Sequence, residues 1–363
     1  MSQASADTDA KDGRARSLGS HYTLGELLGR GAMGEVYVAI DVETGERLAA
    51  KVLRAEHTDD DEVTARFLQE RKLLRELRHP NIVAIRELVV DREQIAIIMD
   101  LIDGQDLRKR LRAEGRLAPA EAVRICADML GALSLAHGLT PPLQHRDVKP
   151  DNILQATDGT VFLTDFGVAR LAETGTSVKL TTGIGTADYM APEMSGASAG
   201  APADVYAVGI TLYELLAGHT PFGRDSFQAI ALRHITCQPP ALEGLPATLW
   251  AHLSSMLAKN PASRPTAATA EARLRALLPE LAGLPALPDT PAPTSWQQES
   301  GGVAQSAVAA MTGSSQAGAQ PSSQATVLKG IAGAALGELP VAAVDAGIGL
   351  RRDGIGDDLD QQT

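Results

Sequence analysis

The chain has 363 residues, 44% of them hydrophobic and 21% charged but only 3% aromatic, which leaves room for about two domains on a length prior of ~150 residues each. A formal net charge of −12 argues against a nucleic-acid binder, which would carry a basic face. The first twenty residues are polar without an apolar core, so no secretory signal is expected, and no run of about 18 uninterrupted apolar residues predicts a membrane span.

The best candidate for such a span, residues 327–350, is broken by Lys329, Glu338, Pro340 and Asp345. Cys126 and Cys237 lie far apart with no metal-ligand spacing, and read as small buried hydrophobes in a reducing compartment. Together these features predict a cytoplasmic protein.

Residues 1–20, rich in Ser, Ala, Asp and Gly, predict a disordered leader. Residues 22–53 alternate strand-like runs with turns and contain Gly29-x-Gly31-x-x-Gly34. No helix follows this motif at once, so dinucleotide binding is disfavoured. A glycine flap between strands lets backbone amides approach phosphates, although a plain glycine hairpin would read the same in isolation. Lys51 sits in the apolar run RLAAKVL, where an unpaired ammonium is costly; it needs an acidic partner or a bound phosphate. In RFLQERKLLRELRHP, Phe67, Glu70, Leu73, Leu74 and Leu77 share one helical face. Glu70 on that apolar stripe asks for a cation, and pairing it with Lys51 satisfies both. The alternative is a surface Glu70 beside Arg71 and Lys72.

HPNIVAIRELVV and EQIAIIMDLIDG read as the last two strands of a small antiparallel sheet, and Pro119 opens a long amphipathic helix. HRDVKPDN, residues 145–152, then gathers the chemistry. Asp147 can accept a proton, Lys149 can neutralise a transferring phosphoryl group, and Asn152 can offer an oxygen to a hard cation. Asp158-Gly159 predicts a two-residue hairpin turn, which would set Asn152 opposite Asp165. A base, a cation and two oxygen ligands in one place suggest phosphoryl transfer. Residues 168–188 show little helix or strand pattern and hold Thr176, Ser177, Thr181 and Thr182. The helix that begins at Asp204 is apolar almost all round and is expected in a core, with Gly218 as its stop. Beyond residue 279 the chain is rich in Ala, Gly, Pro, Ser and Gln, which predicts a disordered tail over residues 280–363.

HRDVKPDN followed by DFG and, further on, GTADYMAPE resembles the catalytic, metal-binding and activation segments of protein kinases. The wording GAMGEVY, HPNIV and DVYAVGITLYELLAG resembles the bacterial eukaryotic-like Ser/Thr kinases, and the match runs over residues 21–279. The resemblance implies an α+β bilobal fold: a small lobe (about 21–101) with a five-stranded antiparallel sheet and one helix, and a mainly helical large lobe (about 102–279). It implies ATP and Mg2+ (or Mn2+), protein substrates and a cognate protein phosphatase as partners. Asp147 and Lys149, with Lys51 and Glu70, would be catalytic. Leu28, Gly29, Gly31, Gly34, Val36, Ala49, Lys51, Met99, Asp100, Ile102 and Leu154 would bind ATP, with Met99 at the back of the pocket and residues 100–102 as the hinge. Asn152 and Asp165 would hold the metal. Thr186 would bond Asp147 and Lys149, and Glu193 would pair with Arg264. Asp204 marks the central helix of the large lobe. Phosphate on Thr181 or Thr182, ahead of Thr176 and Ser177, would pair with Arg146, read from sequence as an unpaired cation. A catalytically dead scaffold is disfavoured because Lys51, Asp147, Asn152 and Asp165 are all present, and a small-molecule phosphotransferase because GTADYMAPE and Arg264 suit peptide docking.

Overall fold

The structure, a computed structural model, describes residues 16–31, 34–53, 74, 77–91, 94–166, 187–193 and 200–298. The small lobe is an antiparallel six-stranded sheet built from β1 (Arg16–Leu18), β2 (Tyr22–Arg30), β3 (Gly34–Asp41), β4 (Arg47–Leu53), β5 (Ile85–Asp91) and β6 (Gln94–Asp100). The strand order is β1-β2-β3-β4-β6-β5. Every residue of β4 after Arg47 is buried, as its unbroken apolar run requires of a central strand, and Lys51 is carried into the interior with it.

Two expectations change here. The sheet has six strands rather than five, and the extra one comes from residues expected in the disordered leader. Arg16, Ser17 and Leu18 pair with Leu24, Thr23 and Tyr22, and Leu18 is fully buried. The Gly19 amide donates to Asp91 on β5 at 3.1 Å, so the two sheet edges meet. A three-residue strand with one apolar side chain has no alternation to reveal it.

The large lobe carries α1 (Leu107–Glu114), α2 (Pro119–His137), α3 (Ala201–Ala217), α4 (Phe227–Thr236), α5 (Ala247–Met256) and α6 (Ala267–Leu281). In α3 every residue from Ala203 to Ala217 is buried. Gly218 then closes it in the left-handed conformation, where a Cβ would lie 2.6 Å from the Gly115 carbonyl. At the mouth of this lobe β7 (Gly104–Asp106), β8 (Ile153–Ala156) and β9 (Val161–Leu163) form a second, three-stranded sheet.

The β8–β9 turn corrects a further expectation. Ala156 and Thr160 close a three-residue loop, with Gly159 at φ 87° after a turn bonded from the Gly159 amide to Ala156. This type I turn with a following left-handed residue is the next commonest hairpin connection after the two-residue kind. The register moves by one: Ile153 faces Leu163, and Asn152 lies opposite Thr164 rather than Asp165.

Residues 282–298, expected in the tail, pack on the large lobe. Leu287 is buried, Asp289 pairs with Arg116 at 2.5 Å, and Gln297 accepts from the Gln238 amide. Trp296 donates from Nε1 to the Pro221 carbonyl at 2.8 Å, with the Arg233 guanidinium 3.9 Å above its ring. A chain ended near Leu281 would therefore lose native contacts. Trp296→Ala is expected to cost about 1–2 kcal/mol, the sum of a cation–π contact and a hydrogen bond. Urea denaturation of the full chain measures this.

Candidate active site

A buried carboxylate organises the catalytic loop. Asp204, in the first turn of α3 and 1% exposed, accepts the His145 amide on Oδ2 at 2.8 Å and the Arg146 amide on Oδ1 at 2.7 Å, and His137 Nε2 lies 2.8 Å from Oδ2. His145 reaches the Thr164 carbonyl through Nε2 at 2.7 Å and meets Phe166 edge-on. These contacts join the segment bearing Asp147 to the one bearing Asp165. Arg146 and Asp165 adopt φ values of +67° and +68°, a region that L residues rarely occupy and that persists only where surroundings over-determine it. Arg146 also takes part in a further interaction, so it does not stand as the unpaired cation read from the sequence.

Within this frame Lys149 Nζ lies 2.8 Å from both carboxylate oxygens of Asp147. Asn152, 7% exposed, donates from Nδ2 to the Asp147 carbonyl at 2.7 Å and to its Oδ2 at 2.8 Å. That bonding uses the amide nitrogen and leaves Oδ1 as an acceptor. Lys51 Nζ lies 2.7 Å from Asp165 Oδ2, the two side chains 9% and 23% exposed. The buried ammonium thus has its carboxylate in Asp165. Glu70, the partner expected from sequence, lies outside the described residues.

An apolar cluster gathers five of the eleven predicted nucleotide residues: Val36, Ala49, Met99, Ile102 and Leu154. Ala49 and Met99 are buried with Val83, and Val36, Leu101, Ile102, Leu154 and Phe162 pack against them. Register brings some of these together, because Ala49 lies opposite Met99 and Leu154 opposite Phe162. Val83 and Phe162 were not singled out from sequence, and Leu101 only as part of the hinge. Behind Met99 an apolar cavity reaches Leu74, Leu77 and Phe166. At the hinge the Asp100 amide already donates to Ala84, and its carboxylate holds Arg86. Leu28 is exposed. In the glycine loop the Gly31 amide closes on the Gly34 carbonyl at 2.8 Å, Gly29 is open, and a Cβ on Gly34 would collide with the Val52 carbonyl at 2.1 Å.

Asn152 Oδ1 and the Asp165 carboxylate are oxygen donors of the kind a hard divalent cation takes.

At the far side the segment ending in Glu193 is pinned to the large lobe. Arg264 donates through Nη1 and Nη2 to the two Glu193 oxygens at 2.6 and 2.8 Å, and also to the Ala258 and Pro202 carbonyls. The Arg264 side chain is fully buried. Thr176, Ser177, Thr181, Thr182 and Thr186 lie outside the described residues. Next to Tyr189, burial and then the neighbouring Glu214 push the Asp188 carboxyl up to about 6. A raised carboxyl means that the folded state holds the proton more tightly than the unfolded one, so stability falls as pH rises from about 4 through about 6. Asp188→Asn is expected to raise the melting temperature at pH 7, with the gain shrinking towards pH 4 in a melting series.

Two lobes that bring Asp147, Lys149 and Asn152 together with Lys51 and Asp165 have the arrangement of the protein kinase class. The chain belongs to the protein kinase family: the protein kinase domain model matches residues 22–273. It is 45% identical over 294 residues to the serine/threonine-protein kinase PkaB of Streptomyces coelicolor, covering 78% of this chain and 69% of PkaB. Identity is 42% to PkaA of the same organism (69% of this chain, 49% of PkaA) and 40% to PknB of Mycobacterium tuberculosis (68% and 41%). The chain thus spans about half the length or less of the latter two. Among solved structures, the PknI kinase domain of Mycobacterium tuberculosis matches with a TM-score of 0.57 at 29% identity, covering 72% of this chain and 98% of that one. These relatives place the chain among the bacterial Ser/Thr kinases.

Proposed function

We propose that this chain transfers the γ-phosphoryl group of ATP to Ser and Thr hydroxyls of proteins, its own activation loop among them. The observation that carries the reading is the junction of Asp147, Lys149 and Asn152 with Asp165 and Lys51. In this reading Asp147 orients the acceptor hydroxyl and takes its proton as the oxygen attacks phosphorus. Lys149, at hydrogen-bond distance from Asp147, turns its charge to the transferring group. Lys51 exchanges part of its contact with Asp165 for the nucleotide phosphates, and the glycine loop closes over them with backbone amides. Asn152 Oδ1 and Asp165 would hold Mg2+ or Mn2+, which when bound neutralises phosphate charge. The slot around Ala49 and Met99 takes the adenine.

The peptide reading, rather than small-molecule transfer, rests on the Glu193–Arg264 clamp that holds the docking end of the activation segment. Thr181 and Thr182, with Thr176 and Ser177 behind them, are the proposed phosphosites. A phosphate there can engage an arginine bidentately, and Arg146 directly precedes the base. Such a switch calls for a protein phosphatase to reset it. Among the described residues no helix is long and apolar enough to cross a membrane; the proposed compartment is the cytoplasm.

Mass spectrometry tests the switch. Phosphate on Thr181 or Thr182 is expected in the wild-type chain and not in Lys51→Met, with lower activity in the Thr181→Ala/Thr182→Ala variant. An unmodified loop in a fully active enzyme overturns it.

A further inference from the structure

We infer that Arg108, on α1, is a positioning residue that sets the peptide-docking segment against the catalytic loop; the inference rests on the kinase reading above. One guanidinium serves three other elements. Its Nε donates to Asp151 Oδ2 at 3.1 Å, and its Nη1 to Glu214 Oε1 at 2.6 Å. Its Nη2 bonds the Tyr189 hydroxyl, which in turn donates to Glu214.

Each partner has a distinct place. Asp151 lies between Lys149 and Asn152, the two residues that bond Asp147. Tyr189 belongs to the short turn Ala187–Tyr189 at the docking end of the activation segment. Glu214 is a buried carboxylate of α3, the helix whose Asp204 holds the His145 and Arg146 amides. Arg108 therefore spans the base-bearing loop and the segment on which an acceptor peptide lies, with α3 as the fixed post.

The chemistry requires this residue type. A planar guanidinium presents donors in a fixed fork and can hold three acceptors at set angles, whereas a lysine ammonium supplies the charge without the fork. An acceptor hydroxyl must meet Asp147 in a near-attack geometry, and a displacement of about 1 Å costs on the order of 10²-fold. The nucleotide slot around Ala49 and Met99 does not include Arg108. The effect should fall on the acceptor, not on ATP.

The test is steady-state kinetics of the full chain with dephosphorylated casein as acceptor, on wild type, Arg108→Lys and Arg108→Met/Glu214→Gln, each with a thermal melt. The double variant removes both charges, so no buried carboxylate is stranded. Both variants are expected to lose about 10- to 100-fold in kcat/KM for casein with KM for ATP within about twofold of wild type. The smaller loss is expected in Arg108→Lys. Wild-type casein kinetics in the folded double variant would overturn the inference, and so would a KM for ATP that rises in step with that for casein. Casein phosphorylation by the wild type measures the kinase reading separately, because it stands or falls whatever the Arg108 variants do.

Discussion

Asp147→Asn is expected to lower the rate of phosphoryl transfer by about 10²–10⁴ while leaving the chain folded, the range typical for removing one general base. Asparagine keeps the shape and can still accept from Lys149 and Asn152, both of which lie within 2.8 Å of the Asp147 carboxylate. What it lacks is the ability to take the acceptor proton. Single-turnover kinetics with γ-labelled ATP at saturating nucleotide isolates this step, and turnover equal to wild type would show that the base was misassigned.

Arg264→Met is expected to cost about 3–5 kcal/mol, because it strands a carboxylate whose partner was wholly buried. Glu193 would lose both bonds of a bidentate pair, and the Pro202 and Ala258 carbonyls would lose their donor. Arg264→Met/Glu193→Gln should recover part of the loss, since no charge is then left alone. Urea denaturation measures both. If the single variant were as stable as wild type, the Glu193–Arg264 clamp would not bear on the fold.

The parts of the fold that were legible in the sequence are those where one residue type conflicts with its surroundings. Lys51 in an apolar strand asked for an acidic partner or a bound phosphate, and Asp165 lies 2.7 Å from its Nζ. The pairing of Arg264 with Glu193 came instead from the resemblance, and Arg264 holds that carboxylate through Nη1 and Nη2. The polar cluster of Asp147, Lys149 and Asn152 is local, so eight residues of sequence carried it. Register was harder. Asp158-Gly159 fits both a two-residue turn and a type I turn ending in a left-handed glycine, and only the backbone bond from Gly159 to Ala156 distinguishes them.

Composition misled at both ends. Leu18 is one apolar residue in a polar leader, and Leu287 and Trp296 are isolated in an Ala- and Pro-rich stretch. Each docks on a surface that the rest of the chain has already built. The Arg108 network was missed for a different reason. The partners of Arg108, Tyr189 and Glu214, stand 81 and 106 residues away in the chain.

The most direct measurement of the central claim is transfer from γ-labelled ATP to casein by the full chain, followed by phosphoamino-acid analysis. Label on serine and threonine, dependent on Mg2+ or Mn2+ and absent with Asp147→Asn, is the predicted result. Transfer that survives intact in Asp147→Asn, or a wild-type chain that moves no label to protein, would contradict it.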